Sequence, residues 1–261
     1  MDAAASIRSQ FGPVARNYAD SHFHADPERL REVLELAEPR PEDVVLDVAT
    51  GTGHTALALA PHVAWVVGLD LTPEMLELAL ASARQTGTAN TSWVLGDAAA
   101  LPFPADSFDV VAARAAPHHF PDLAAALAEA RRVLRPGGRA VFVDCSPPAA
   151  ARDFLHEIEL ARDPTHVLSH TLEEWDSVLR SAGFAVEVLR RRELECFSAW
   201  MGTMNVSEST AERLAESMAA APAAVRELLR PELRAGRLWH RYWHALIRAR
   251  KPASPAPSRT N

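Results

Sequence analysis

Five short apolar runs alternate with helix-forming stretches over residues 43–145, and this alternation constrains the fold more than any other feature. The runs cover 43–48, 63–69, 91–95, 108–113 and 139–145. A helix can open at 53–60. A second has Thr72 as N-cap, Pro73 at its first position and Glu74 as an early acid, and runs to about residue 84. A third spans about 122–134, before the turn Arg135-Pro136-Gly137-Gly138. Apolar strands separated by helices predict an α/β chain, doubly wound, with a parallel sheet covered on both faces and right-handed crossovers. Ligands of such sheets sit at the carboxyl ends of the strands. That rule places Asp47, Asp70, Asp97 and the loop after Ala113 along one edge.

Beyond residue 145 the pattern predicts helices over 150–161 and 172–182, a sixth strand over 184–191 and helix over 207–235. The run 239–250 has two readings. Residues 226–251 carry eight basic and two acidic residues, which suits a basic helix at a membrane surface. A last strand would put Tyr242, His244, Leu246 and Arg248 on one face and Trp243, Ala245 and Ile247 on the other. The strand is favoured, because strand six needs a partner. The tail at 251–261 is Pro- and Ser-rich and expected to be disordered.

With 261 residues the chain fits one core with decorations. A formal net charge of −7 argues against nucleic acid as a partner. Two cysteines, Cys145 and Cys196, form neither a disulfide framework nor a zinc pattern, so a reduced, cytoplasmic setting is expected. No apolar run is long enough for an integral membrane segment, and the first residues lack a signal-peptide pattern.

The chemistry centres on residues 45–53, VLDVATGTG. Gly51-Thr52-Gly53-His54-Thr55-Ala56 also fits the G-x-G-x-x-A form of a dinucleotide site, so the glycines alone admit either ligand. Asp47, four residues before Gly51, suits a cationic ligand better than an anionic pyrophosphate. Asp70 suits ribose hydroxyls in either class, and Asp97 can meet an adenine edge. Three acids around a glycine loop suit S-adenosylmethionine, with its sulfonium and ammonium.

VLDVATGTG, Asp70, GDAAALPFPADSFDVV and RRVLRPGGRAVFVD occur in that order, and on them the chain resembles the class I S-adenosylmethionine-dependent methyltransferases. Within these it is most similar to the small-molecule branch related to ubiquinone and menaquinone biosynthesis C-methyltransferases. The resemblance spans roughly residues 10–195. It implies a Rossmann-like, mostly parallel seven-stranded sheet with an antiparallel last strand. The implied arrangement has a lid segment at 1–29, the cofactor-binding core at 30–195, and a helical insert with the last strand at 196–250. Asp47 would open the first motif. Ala49 stands where the common pattern has Gly, and Thr50 belongs to the same loop. Gly51 and Gly53 would line the methionine moiety, Asp70 the ribose, and Leu71, Asp97 and Ala98 the adenine. Arg114 would touch the cofactor through its backbone. The stretch 11–18, FGPVARNY, resembles the branch's lid, with Tyr18 as its contact.

Methyl transfer from a sulfonium requires alignment and exclusion of water, and a general base only when the nucleophile arrives protonated. His118 and His119 are the candidate bases, His119 standing where the family often has His. Asp144 takes the place of a Glu in quinone-type relatives, as a pocket acid or a helix cap. His166 and His170 are candidates for the acceptor side. No metal is expected, since adjacent histidines do not normally share one. Trp65 and Trp93 are expected in the core and Trp175 against the sheet. Trp200, Met201 and Met204 are expected to shape the acceptor pocket or pack the core. The expected function is methyl transfer to oxygen or carbon of a small aromatic or quinone-like acceptor, with a homodimer left open. The alternatives are a cyclase-like use of the same cofactor, a nicotinamide-dependent oxidoreductase, and a binding protein without activity.

Overall fold

The computed structural model describes residues 3–197, 203–234 and 237–253. The chain opens with α1 (Ala3–Phe11), α2 (Ala15–Ala19) and α3 (Pro27–Ala37). Then come β1 (Val44–Val48), α4 (His54–Leu59), β2 (Trp65–Asp70), α5 (Pro73–Thr86), β3 (Thr91–Leu95) and β4 (Phe108–Arg114). They are followed by α6 (Leu123–Val133), β5 (Leu134–Cys145), α7 (Ala149–Arg162), α8 (Leu172–Ser181) and β6 (Ala185–Phe197). Helices Glu208–Ala219 and Ala223–Leu229 precede β7 (Glu232–Arg234) and β8 (Arg237–Arg250).

The strands form one sheet in the order β3-β2-β1-β4-β5-β8-β6, with β7 paired to β8. β1 to β5 are mutually parallel, and β8 runs antiparallel to both β5 and β6. The mostly parallel sheet with an antiparallel last strand is therefore as expected. The count differs by one. β7 lies in a segment that the sequence pattern reads as helix, where Pro231 follows Arg230 at φ 46 and stops the preceding helix.

The basic run 237–250 is a strand, and its charges explain how. Arg248 and Arg250 pair with Glu187, and Arg241 with Glu193, all across the β6–β8 ladder. β6 is longer than its apolar pattern suggests because β8 gives it twelve paired positions, from Ala185 to Phe197. The turn expected at Arg135–Gly138 is a bulge inside β5. Leu134 pairs with Phe108, the register shifts, and Arg139 resumes opposite Val110, with Gly137 at φ 79.

Side chains alternate between two layers, as strand geometry requires. On one face Leu46, Val111, Phe142 and Ile247 pack against α6 and α8 through Leu127, Trp175 and Leu179. On the other, Val45, Val110, Val141 and Leu246 pack against α3 and α4 through Val33, Leu36, Ala56 and Leu59. A third cluster joins α7 to the helices Glu208–Ala219 and Ala223–Leu229 and to Trp243. Trp175 is fully buried and stacks on Phe142 with centroids 5.6 Å apart.

Trp65 departs from its expected place. It is 41% exposed at the first position of β2, with its indole donating to Ser92. Trp93 is half-buried and fills the space above two glycines. A Cβ on Gly68 would come within 2.5 Å of its ring, and one on Gly53 within 2.9 Å.

Ile247 is fully buried within the sheet while Leu233 of β7 is 72% exposed. Ile247→Ala is expected to cost about 2–5 kcal/mol in urea unfolding, against roughly 0.5 kcal/mol or less for Leu233→Ala. Equal costs would mean that β8 is not the core strand described.

Candidate active site

β1 and β4 are neighbours whose onward connections lead to opposite halves of the sheet. Such a reversal opens a crevice at the carboxyl ends of the two strands. Both candidate loops leave from there, 49–53 after β1 and 115–122 after β4.

The first loop turns tightly. Ala49, Gly51 and Gly53 have φ of 53, 54 and 87. The two glycines serve different ends. A Cβ on Gly53 would strike Trp93 and Ala79, whereas one on Gly51 would have no heavy atom within 4 Å. Gly53 thus lets the loop pack, and Gly51 leaves open space at a cavity wall. Three backbone amides of this loop are already engaged. Gly51 N–H donates to Asp70 Oδ2 at 2.7 Å, Thr50 N–H to Leu69 O, and Gly53 N–H to Thr50 O. A pyrophosphate needs free amides, and here a carboxylate occupies one of them. With the Gly51 N–H held by Asp70, the loop does not offer that amide to a pyrophosphate.

Asp70 also accepts the Thr72 N–H at 2.9 Å, and each oxygen retains a lone pair for further donors such as ribose hydroxyls. Burial pushes its carboxyl above the ordinary range. Asp47 sits beneath the loop, 1% exposed, and accepts the Thr50 hydroxyl at 2.6 Å. Burial pushes it up to about 7, against the pull of Thr50 and Arg114. It lies outside the residues lining the cavity. Asp97 forms a local turn, accepting the Ala99 N–H at 2.8 Å.

A cavity of about 330 Å³ lies over this edge. Its walls include Ala49, Thr50, Gly51, Asp70, Leu71, Asp97, Ala98 and Arg114 from the strand ends. Ala3, Ile7, Phe11 and Tyr18 close it from α1 and α2. Phe11 meets Tyr18 edge-on at 5.7 Å and His119 at 5.0 Å. The Tyr18 hydroxyl donates to Met204 Sδ at 3.0 Å, and Asn17 donates to Thr203 O and to Asn205. Burial pushes the Tyr18 phenol up to about 12. Met204 thus packs against the N-terminal helices, while Trp200 and Met201 lie outside the described residues. The Arg114 side chain braces the site, donating to Thr55 Oγ1 and to His24 O. Burial holds its guanidinium down to about 10, opposed by Asp47.

A second cavity, about 680 Å³, shares Phe11, Tyr18, His24, Ala115 and His119 with the first. His118 lines it, and His118 Nδ1 bonds Asp144 Oδ1 at 2.6 Å. Asp144 reaches the cavity only through this imidazole. Burial opposes the charged ring of His118, but the Asp144 carboxylate outweighs it and raises the pKa above 6.5. His119 goes the other way. Burial, then the neighbouring His118, hold it well below 6.5 while Nδ1 faces Thr165 O at 3.2 Å.

His166 and His170, expected on the acceptor side, line neither cavity. His166 lies behind His118 at 5.4 Å, held down to about 4 by burial. His170 stands edge-on to Trp175, near Glu174. The donor atoms of His118, Asp144 and Cys145 lie within 4.8 Å of one another. They already bond within the protein, His118 to Asp144 and Cys145 to the Tyr242 hydroxyl. Glu159, Arg162, Arg29 and Tyr242 also line the larger cavity without having been singled out by sequence. They come from α3, α7 and β8, and no motif spacing links them.

A methyltransferase domain model matches residues 46–142. Over 194 residues the chain is 37% identical to an uncharacterised methyltransferase, YcgJ, of Bacillus subtilis, covering 73% of this chain and 77% of the relative. The chain belongs to the S-adenosylmethionine-dependent methyltransferases. The crystal structure of the Bacillus subtilis YcgJ protein superposes with a TM-score of 0.82 at 31% identity, covering 87% of this chain and 99% of that one. A demethylmenaquinone methyltransferase of Thermus thermophilus is 41% identical over 128 residues, 48% of this chain and 58% of the relative. S-adenosylmethionine is the cofactor of this family, and the open wall at Gly51 beside the Asp70 carboxylate fits it. No helix among the described residues is long and apolar enough to cross a membrane.

The two glycines are separable by experiment. Gly51→Ala is expected to weaken S-adenosylhomocysteine binding at least about tenfold, since its methyl enters ligand space, with about 1 kcal/mol lost in stability. Gly53→Ala is expected to cost more stability, roughly 1–3 kcal/mol, from the clash with Trp93. Calorimetric titration and urea unfolding read the two effects. The His118–Asp144 pair predicts a pH dependence. A histidine whose pKa is raised on folding stabilises the fold below its unfolded pKa of about 6.5, and that contribution fades as pH rises through the folded pKa. The stability lost in Asp144→Asn should therefore be larger in mild acid than in alkali. A loss independent of pH would count against this coupling.

Proposed function

We propose that the chain moves a methyl group to an oxygen or carbon of a small aromatic or quinone-like acceptor held in the larger cavity. The observation that carries this reading is that two adjacent cavities share His119 as a lining residue, with His118, held by Asp144, in the wall of the second. The cofactor, when bound, supplies a sulfonium methyl that needs no further activation. In the smaller cavity the roles proposed are Asp70 for the ribose, Leu71, Asp97 and Ala98 for the adenine, and the loop 49–53 for the methionine end. Phe11 and Tyr18 exclude water from the junction, which favours displacement over hydrolysis.

The acceptor side uses two imidazoles differently. Asp144 takes the Nδ1–H of His118 and fixes its tautomer, so Nε2 is the basic nitrogen available to the cavity. From there it removes the proton of a hydroxyl or enol as the nucleophile attacks. A base with a pKa near neutrality does this best. His119, held neutral, lines both cavities without placing a cation beside the sulfonium. The similarity to a demethylmenaquinone methyltransferase supports a flat, quinone-like acceptor.

The test is a screen of phenolic, quinone-like and heterocyclic compounds with isotopically labelled cofactor, read by mass spectrometry. Transfer to at least one phenol or enol is expected. On that acceptor kcat/KM should rise with pH through the pKa of His118. Asp144→Asn removes the carboxylate that raises this pKa, so the rising limb should move to lower pH and the plateau should fall about 10²–10⁴-fold. Full turnover by His118→Ala would remove the base from the reading.

A further inference from the structure

The start of α3 holds an arginine that helix chemistry does not account for. Asp26 caps the helix by accepting the Glu28 N–H at 2.9 Å, and Pro27 opens the first turn. Arg29 follows in that same turn, where a cation works against the positive end of the helix dipole. It is also 9% exposed. Burying a guanidinium is unfavourable unless its N–H groups are paired. The Arg29 guanidinium lies 3.7 Å from the centroid of Phe23, and its Nε reaches Asp26 only at 3.4 Å. Its Nη1 is buried with no hydrogen-bond acceptor. Both Arg29 and Phe23 line the larger cavity.

Several carboxylates nearby are already paired, although Glu32 Oε2, one turn along α3, is buried without a partner of its own. Glu159 is bound twice by Arg162, Glu32 is paired with Arg192, and Glu195 with Arg234 at the surface. Asp20 is exposed. Nearby imidazoles report a positive field. Burial and then the charges of Arg114, His54 and Arg29 hold His24 well below its ordinary range. Burial and then Arg29 and Arg114 do the same to His244.

We propose that Arg29 is the anion-recognition residue of this cavity and that the acceptor is an aromatic or enolic acid whose carboxylate it binds. Resting on Phe23, the guanidinium plane is held in one orientation, and its free edge matches a planar carboxylate. The ring of such an acceptor carries the hydroxyl or enol that His118 deprotonates. The inference rests on the reading of the larger cavity as the acceptor site, and it adds a charge requirement that this reading does not contain.

The probes are 1-hydroxy-2-naphthoate and its neutral isostere 1-hydroxy-2-naphthamide, titrated calorimetrically into the full chain saturated with S-adenosylhomocysteine. The wild type is expected to bind the acid about tenfold or more tightly than the amide. Arg29→Gln should erase that preference, and Arg29→Lys should keep part of it. Unchanged S-adenosylhomocysteine affinity in both variants shows that they remain folded. Equal affinity for acid and amide in the wild type overturns the proposal. So does an acid preference that survives Arg29→Gln, or failure of both probes to bind the loaded protein. Methyl transfer to neutral phenols is followed in parallel. Its presence without an acid preference overturns the anion site alone, whereas its absence from every acceptor overturns the reading of the cavity.

Discussion

The parallel pairing of β1 with β4 sets everything else in place. Each strand is followed by chain leading to the opposite half of the sheet, so the two loops part and leave a crevice. The pairing is held by Val45, Leu46, Val110 and Val111, all fully buried, with Val45 opposite Val110 and Leu46 opposite Val111. Because these side chains alternate between the two covered faces, a slip of one residue would turn both layers inside out. The register is therefore firm, and with it the position of Asp47 beneath the loop and of Asp70 and Arg114 at the rim.

On that rim the chain resolves a conflict between tight turning and ligand access. The loop 49–53 must reverse within five residues, which forces positive φ at alternate positions. Asp70 then fastens it through Gly51. One carboxylate thus both closes the loop and, as proposed, meets the ligand. This dual use explains why a glycine pattern shared with dinucleotide sites belongs here to a different ligand. The decisive element is the acid that already occupies the amide, rather than the glycines.

Much of this was legible in the sequence, and the exceptions have physical causes. The parallel strands follow from their apolar runs, and β8 followed from period-two alternation of Tyr242, His244 and Leu246 despite its basic charge. Trp65 was misplaced because a strand-like run does not reveal which of its residues begins at an exposed edge. Gly68 gave no local signal, since its reason is the ring of Trp93 on the neighbouring strand. The cofactor edge consists of residues that follow directly on strand ends, so spacing exposes them. The larger cavity draws Arg29, His118, Arg162 and Tyr242 from elements up to two hundred residues apart. Their meeting is a property of tertiary structure alone. His166 was expected on the acceptor side, and only the fold shows His118 at the cavity wall and His166 behind it.

The placement of β8 between β5 and β6 has a consequence for how the molecule comes into being. A ribosome delivers β1 to β5 first, and they can pair as they emerge. The outer edge of β5 then stays open until some ninety further residues have been made. An unpaired edge of that kind invites association with other chains. The nascent chain thus has its nucleoside-binding half complete while its second chamber still lacks the wall bearing Tyr242. Once the late strand is made, its arginines meet Glu187 and Glu193 of β6, and these ion pairs favour the native register.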